Sequence, residues 1–185
     1  MALMRDLLLP LMMWALAGAS APGNTPAQSS PEYQLKAVFL FNFAQFVEWP
    51  ASAFPEPDTP LGICVLGQDP FGAYLDETVR GETVGNHLLA VRRYRTADEV
   101  TGCHILFVSR QEQGRLREIL DSLKGHSVLT VSDAERFASR GGMIRFVTEH
   151  NRIRLRINLE AARAAGLTIS SKLLRPAQIV SKGED

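Results

Sequence analysis

A chain of 185 residues suffices for one domain of ordinary size whose core needs no staples. Its 45% hydrophobic and 22% charged content excludes disordered and fibrous classes. Lys+Arg 20 against Asp+Glu 20 leaves no net charge, and so no global field to gather nucleic acid or an acidic membrane surface.

The chain opens with "MALMRDLLLPLMMWALAGASA": one arginine offset by Asp6, an apolar run from Leu7 to Leu16, then small residues at Ala17, Ala19 and Ala21. This is the order of a secretory signal peptide over residues 1–21, with cleavage expected after Ala19 or Ala21; an uncleaved anchor is the alternative. Residues 22–30 read as a disordered Pro/Ser/Gly linker, and the folded domain is expected over residues 31–181.

A first helix is expected from Pro31 to about Trp49, stopped by Pro50. Placing its residues at about 100° intervals sets Leu35, Phe39, Leu40, Phe43, Ala44, Phe46 and Val47 on one arc that should pack on a sheet. Val38, Phe41 and Trp49 then fall among the polar residues. Phe41 and Trp49 are therefore candidates for a partner or dimer interface.

Three apolar runs without alternation, Ile63–Leu66, Ile105–Val108 and Val128–Val131, suit strands buried on both faces of a parallel sheet. Helical patterns lie between them at Phe71–Val79 and Glu112–Leu123, and "TVSDAERF" predicts another short helix capped by Ser132 or Asp133. A strand over Leu88–Tyr94 belongs near an edge. "GMIRFV" and "RIRLRIN", separated by "TEHN", predict an antiparallel hairpin. In its second strand Arg152, Arg154 and Arg156 alternate with Ile153, Leu155 and Ile157, giving one buried face and one basic, solvated face. "LEAARAAG" reads as a helix closed by Gly166, and Pro176 breaks whatever helix begins near Ser171. The fold class is α/β: a three-layer arrangement with a mostly parallel central sheet, flanking helices and a C-terminal antiparallel hairpin.

Cys64 and Cys103 lie 39 residues apart, each in a strand-like run. In an oxidising compartment they form a candidate disulfide; two buried thiols and redox chemistry are the alternatives, and the last lacks a C-x-x-C. Were the strands neighbours, the bridge would stabilise the fold by roughly 4 kcal/mol.

Catalytic and cofactor patterns are missing: no G-x-S-x-G, H-E-x-x-H, Walker A or G-x-G-x-x-G. His87, His104, His126 and His150 are scattered without metal-ligand spacing. "GQDPFG" (residues 67–72) lies between a strand and a helix, where backbone amides can hold an anion, yet it lacks the lysine of a phosphate loop. A turn and helix start built by Asp69, Pro70 and Gly72 is the expected reading, with small-ligand binding as the alternative. The expected protein is neither an enzyme nor a cofactor or metal carrier.

In order along the chain, "EYQLKAVFLFNFAQFVEWP", "LGICVLGQDPFG", "GCHILFVS", "GGMIRFV" and "RINLEAARAAGLTISSKLLRPAQIV" resemble the blocks of the YfiR family of periplasmic proteins. The resemblance implies an exported, commonly dimeric α/β repressor. It would bind the periplasmic sensor part of an inner-membrane diguanylate cyclase, lowering cyclic di-GMP and biofilm formation. It also implies a Cys64–Cys103 disulfide; a second cysteine pair of better-known members is absent here. Asn158, Glu160, Lys172 and Gln178 match polar positions of the family's ending and are the remaining candidates for a partner or dimer contact; a cap or a solvated side chain is the alternative for each. The alternative function is a periplasmic small-molecule sensor, with a pocket above "GQDPFG" and a different signalling partner.

Overall fold

The computed structural model describes residues 29–184, so the expected signal peptide and most of the linker lie outside the described residues. In chain order the elements are α1 (Pro31–Phe46), β1 (Val47–Glu48), β2 (Leu61–Leu66), α2 (Ala73–Val79), β3 (Thr83–Val84), β4 (His87–Tyr94) and β5 (Ile105–Val108). Then come α3 (Leu116–Ser122), β6 (Leu129–Ser132), β7 (Ile144–Glu149), β8 (Arg152–Ile157), α4 (Leu159–Ala164), β9 (Thr168–Ile169), α5 (Ser171–Leu174) and β10 (Gln178–Ile179).

The main sheet runs β10-β8-β7-β6-β5-β2-β4-β3. Strands β4, β2, β5, β6 and β7 are parallel to one another, and β7 and β8 form the expected antiparallel hairpin. Its two-residue turn, His150–Asn151, has positive φ at both positions, the geometry whose twist matches a hairpin. Ile144, Phe146, Leu155 and Ile157 point into the core, while Arg152 and Arg154 stay exposed on the other face. The two-residue strands β1 and β9 pair separately, Val47 opposite Ile169.

Helices cover both faces. One core gathers α1, α2, α4 and α5 over the sheet, through residues such as Leu40, Phe43, Leu75, Ala162 and Leu173. A smaller core on the opposite face joins Leu116 and Ile119 of α3 to Cys64, Leu66, Leu106 and Phe137. Cys64 of β2 and Cys103, two residues before the neighbouring β5, are bonded there.

Four expectations change. α1 ends at Phe46 rather than near Trp49, because Val47 turns extended to pair with β9. Its buried stripe is Lys36, Ala37, Leu40, Phe43 and Ala44, and Leu35 is 48% exposed, so the helix is rotated from the expected arc. The segment after β6 is a turn and not a helix: the Ser132 hydroxyl donates to Val108 O and accepts the Ala134 N–H, and Asp133 is drawn into an ion pair. The stretch Arg110–Arg115 leading into α3 is a 3-10 helix, so the α-helix starts at Leu116 rather than Glu112.

Candidate functional site

From β2 the chain passes to β4 on one side and then crosses to β5 on the other, so the connections reverse direction between β2 and β5. In open α/β sheets the carboxyl ends of strands at such a reversal frame a ligand crevice. The loops there are Gly67–Phe71 after β2 and Ser109–Gln111 after β5, and Tyr33 of α1 closes the third side of a cavity of about 320 Å³.

The "GQDPFG" loop is a turn stapled from two directions. Asp69 Oδ1 accepts the Phe71 N–H at 2.7 Å, and Asp69 Oδ2 meets Arg93 Nε at 2.6 Å. The same guanidinium donates to Gly72 O at 2.8 Å and to Asp76 Oδ2 at 2.5 Å; this bond holds the Asp76 carboxyl below its ordinary range. Across the mouth, the Gln111 amide donates to Gln68 Oε1.

Beneath the crevice lies a residue that periodicity does not single out. Lys36, 1% exposed, places Nζ 2.6 Å from both Asp133 Oδ2 and Glu32 Oε1, and 4.3 Å from the Tyr33 ring centre. Tyr33 donates its hydroxyl to the same Asp133 oxygen at 2.8 Å, and Arg110 Nη2 approaches it at 3.2 Å. Burial opposes ionisation of Asp133, but the Lys36 ammonium, the Tyr33 hydroxyl and Arg110 outweigh it and hold the carboxyl below the ordinary range. Burial and the Asp133 charge push the Tyr33 phenol upward, so it stays a donor. Asp133 Oδ1 is buried with no hydrogen-bond partner among the described residues. Asp133 Oδ2 alone gathers Lys36, Tyr33 and Arg110, fastening α1 to the end of β6. Chemically this is a buried ion pair whose carboxylate is shared by an ammonium, a phenol and a guanidinium.

The expected interface residues do not converge on one spot. Phe41 is half-buried and packs on the main core. Trp49 is half-buried at the opposite, amino-terminal end of the parallel strands, its Nε1 donating to His104 O at 3.2 Å. Asn158 is 2% exposed: Oδ1 caps α4 by accepting the Ala161 N–H, and Nδ2 donates to Ala138 O. Of its two readings, partner contact and cap, Asn158 takes the second, and the expectation of a partner contact there is corrected to a buried cap. Glu160, Lys172 and Gln178 are exposed, on α4, α5 and β10, with Lys172 Nζ 5.3 Å from the Phe46 ring centre.

The histidines divide similarly. His104 is 3% exposed; its Nδ1 accepts the Gly62 N–H at 3.0 Å, its Nε2 lies 3.1 Å from Ala53 O, and Phe54 stacks between it and His87. Burial pushes its pKa below the ordinary value, so the ring is held neutral. Among the described residues no group of His, Cys, Asp and Glu is arranged to hold a metal ion, and no helix is long and apolar enough to cross a membrane.

The strand order and crevice position define a doubly wound α/β domain of the flavodoxin-like topology, with an internal ion-pair cluster at the end of the sheet where that topology places its crevice. Residues 33–178 match the YfiR/HmsC-like family. The chain belongs to that family.

Proposed function

We propose that this chain is a periplasmic regulator that binds the periplasmic sensor region of an inner-membrane diguanylate cyclase and restrains it, lowering cyclic di-GMP and biofilm formation. The observation that carries the reading is family membership across residues 33–178, nearly all of the described chain. The apolar leader followed by small residues, and the Cys64–Cys103 bond, support export to an oxidising compartment. The protein acts by occluding another polypeptide, as a homodimer, and the exposed positions Glu160, Lys172 and Gln178 with half-buried Phe41 and Trp49 are the contacts to test.

Cross-linking in cells followed by capture from the membrane fraction should recover an inner-membrane cyclase, and deletion of the gene should raise cyclic di-GMP. Unchanged cyclic di-GMP on deletion, with no cyclase captured, contradicts the proposal. Phe41→Glu should weaken dimerisation or capture while leaving the monomer folded; unaltered sedimentation and capture would remove that residue from the interface.

A further inference from the structure

At the amino-terminal end of the parallel strands, remote from the crevice, α3 and α4 border a groove of about 630 Å³. This size lies within the range of small-molecule sites. Its floor is apolar: Leu120 and Leu123 from α3, Val128 just before β6, and Met143 just before β7. Ala161 and Ala164 of α4 form a low wall that leaves the space open.

Four of the lining side chains are cationic, Arg117, Lys124, Arg140 and Lys182, against one carboxylate, Asp121. The groove therefore concentrates positive charge in a chain whose net charge is zero. Lys124 occupies Asp121 at 2.7 Å, and Arg140 spends one N–H on Gln113 O. Arg117 and Lys182 make no hydrogen bond or ion pair among the described residues, yet both act on the Asp121 carboxyl, behind Lys124, to keep it below its ordinary range. The contrast with the crevice is direct. There every charge has an internal partner; here cations stand over apolar surface with donors to spare.

We propose that this groove binds a small organic anion with an apolar body. Arg117, Arg140 and Lys182 hold a carboxylate or phosphate head, and the body lies on Leu120, Leu123, Val128 and Met143. Neither half suffices: an inorganic anion leaves the floor wet, and a neutral apolar molecule leaves the guanidiniums unused. The site does not rest on the regulatory reading, since binding is measured on the isolated protein.

Calorimetric titration of the full exported chain tests it with octanoate and octyl phosphate as head-plus-body probes, 1-octanol as body alone, and acetate and inorganic phosphate as heads alone. At least one of the two amphiphiles should bind saturably at one per chain, with the partial probes at least about tenfold weaker, as expected for loss of about 1.4 kcal/mol. The Arg117→Gln/Lys182→Gln double variant should weaken binding by about tenfold or more. Ala164→Trp, on an exposed position of α4, should fill the groove and abolish binding. Any of three results overturns the site: no saturable binding of either amphiphile, wild-type affinity in both variants, or partial probes that bind as tightly as whole ones. Should a variant fail to fold, the probe comparison on the wild-type chain decides alone. Failure here leaves cyclase capture and cyclic di-GMP levels untouched, so it is distinguishable from failure of the regulatory reading.

Discussion

The two faces of the sheet are fastened by different means. Under α1 lies the larger core, and it contains a charged lock, Lys36 with Asp133. Under α3 lies the smaller core, and it contains a covalent one, Cys64 with Cys103. A large apolar layer supplies enough burial to tolerate the desolvation of an ion pair that fixes the position of its helix. A small layer supplies less, and a cross-link that restricts the unfolded chain offsets the shortfall.

If that contrast is right, the largest effect comes from the staple. Cys64→Ala/Cys103→Ala should lose about 4 kcal/mol in denaturant unfolding, the value for a loop of about 40 residues, with amides of α3 exchanging first. Uniform loosening of both layers would break the distinction.

Removing one member of the charged lock should cost about 3 kcal/mol, because Lys36→Met leaves Asp133 buried with only Tyr33 and Arg110 beside it. The Lys36→Met/Asp133→Leu pair should recover most of that loss. A double variant as unstable as the single one would show that the lock stabilises rather than positions.

A smaller effect tests packing in the stapled layer. A Cβ on Gly142 would come within 2.1 Å of the Phe137 ring, so Gly142→Ala should destabilise by about 2 kcal/mol through overpacking.

The smallest effect is acid sensitivity at His104. Burial depresses its folded-state pKa below 6.5, so as pH falls past 6.5 the unfolded chain takes up a proton that the folded ring refuses. Stability contributed by the neutral ring is full above that value and declines toward the lower folded pKa. The slope from this one group is at most about 1.4 kcal/mol per pH unit. Thermal melts between pH 7 and 5 should show the decline, and His104→Gln should flatten it.

Much of the fold was legible because its signals are local. Ile105–Val108 reads as a doubly buried strand from four apolar residues, and the alternation of arginine with Ile153, Leu155 and Ile157 assigns each face of β8. Pro176 ends α5 as a missing donor and a fixed φ require. The unreadable parts depend on distant partners. α1 is apolar on most sides, so periodicity alone cannot orient it, and its rotation follows from Lys36 meeting a carboxylate 97 residues away. The same pairing diverts Asp133 from the helix cap its neighbours predict. β1 and β9 are two residues each, too short to carry a period. Asn158 matched an interface position by type, but its burial between α4 and Ala138 is set by the packing of separate elements.

The regulatory account is tested most directly by cyclic di-GMP levels in a deletion strain carrying either the full chain or a version lacking residues 1–21. The account predicts that the full chain restores a low level and the leaderless chain leaves it high. Equal restoration by both would contradict an exported protein acting on the outer side of the inner membrane.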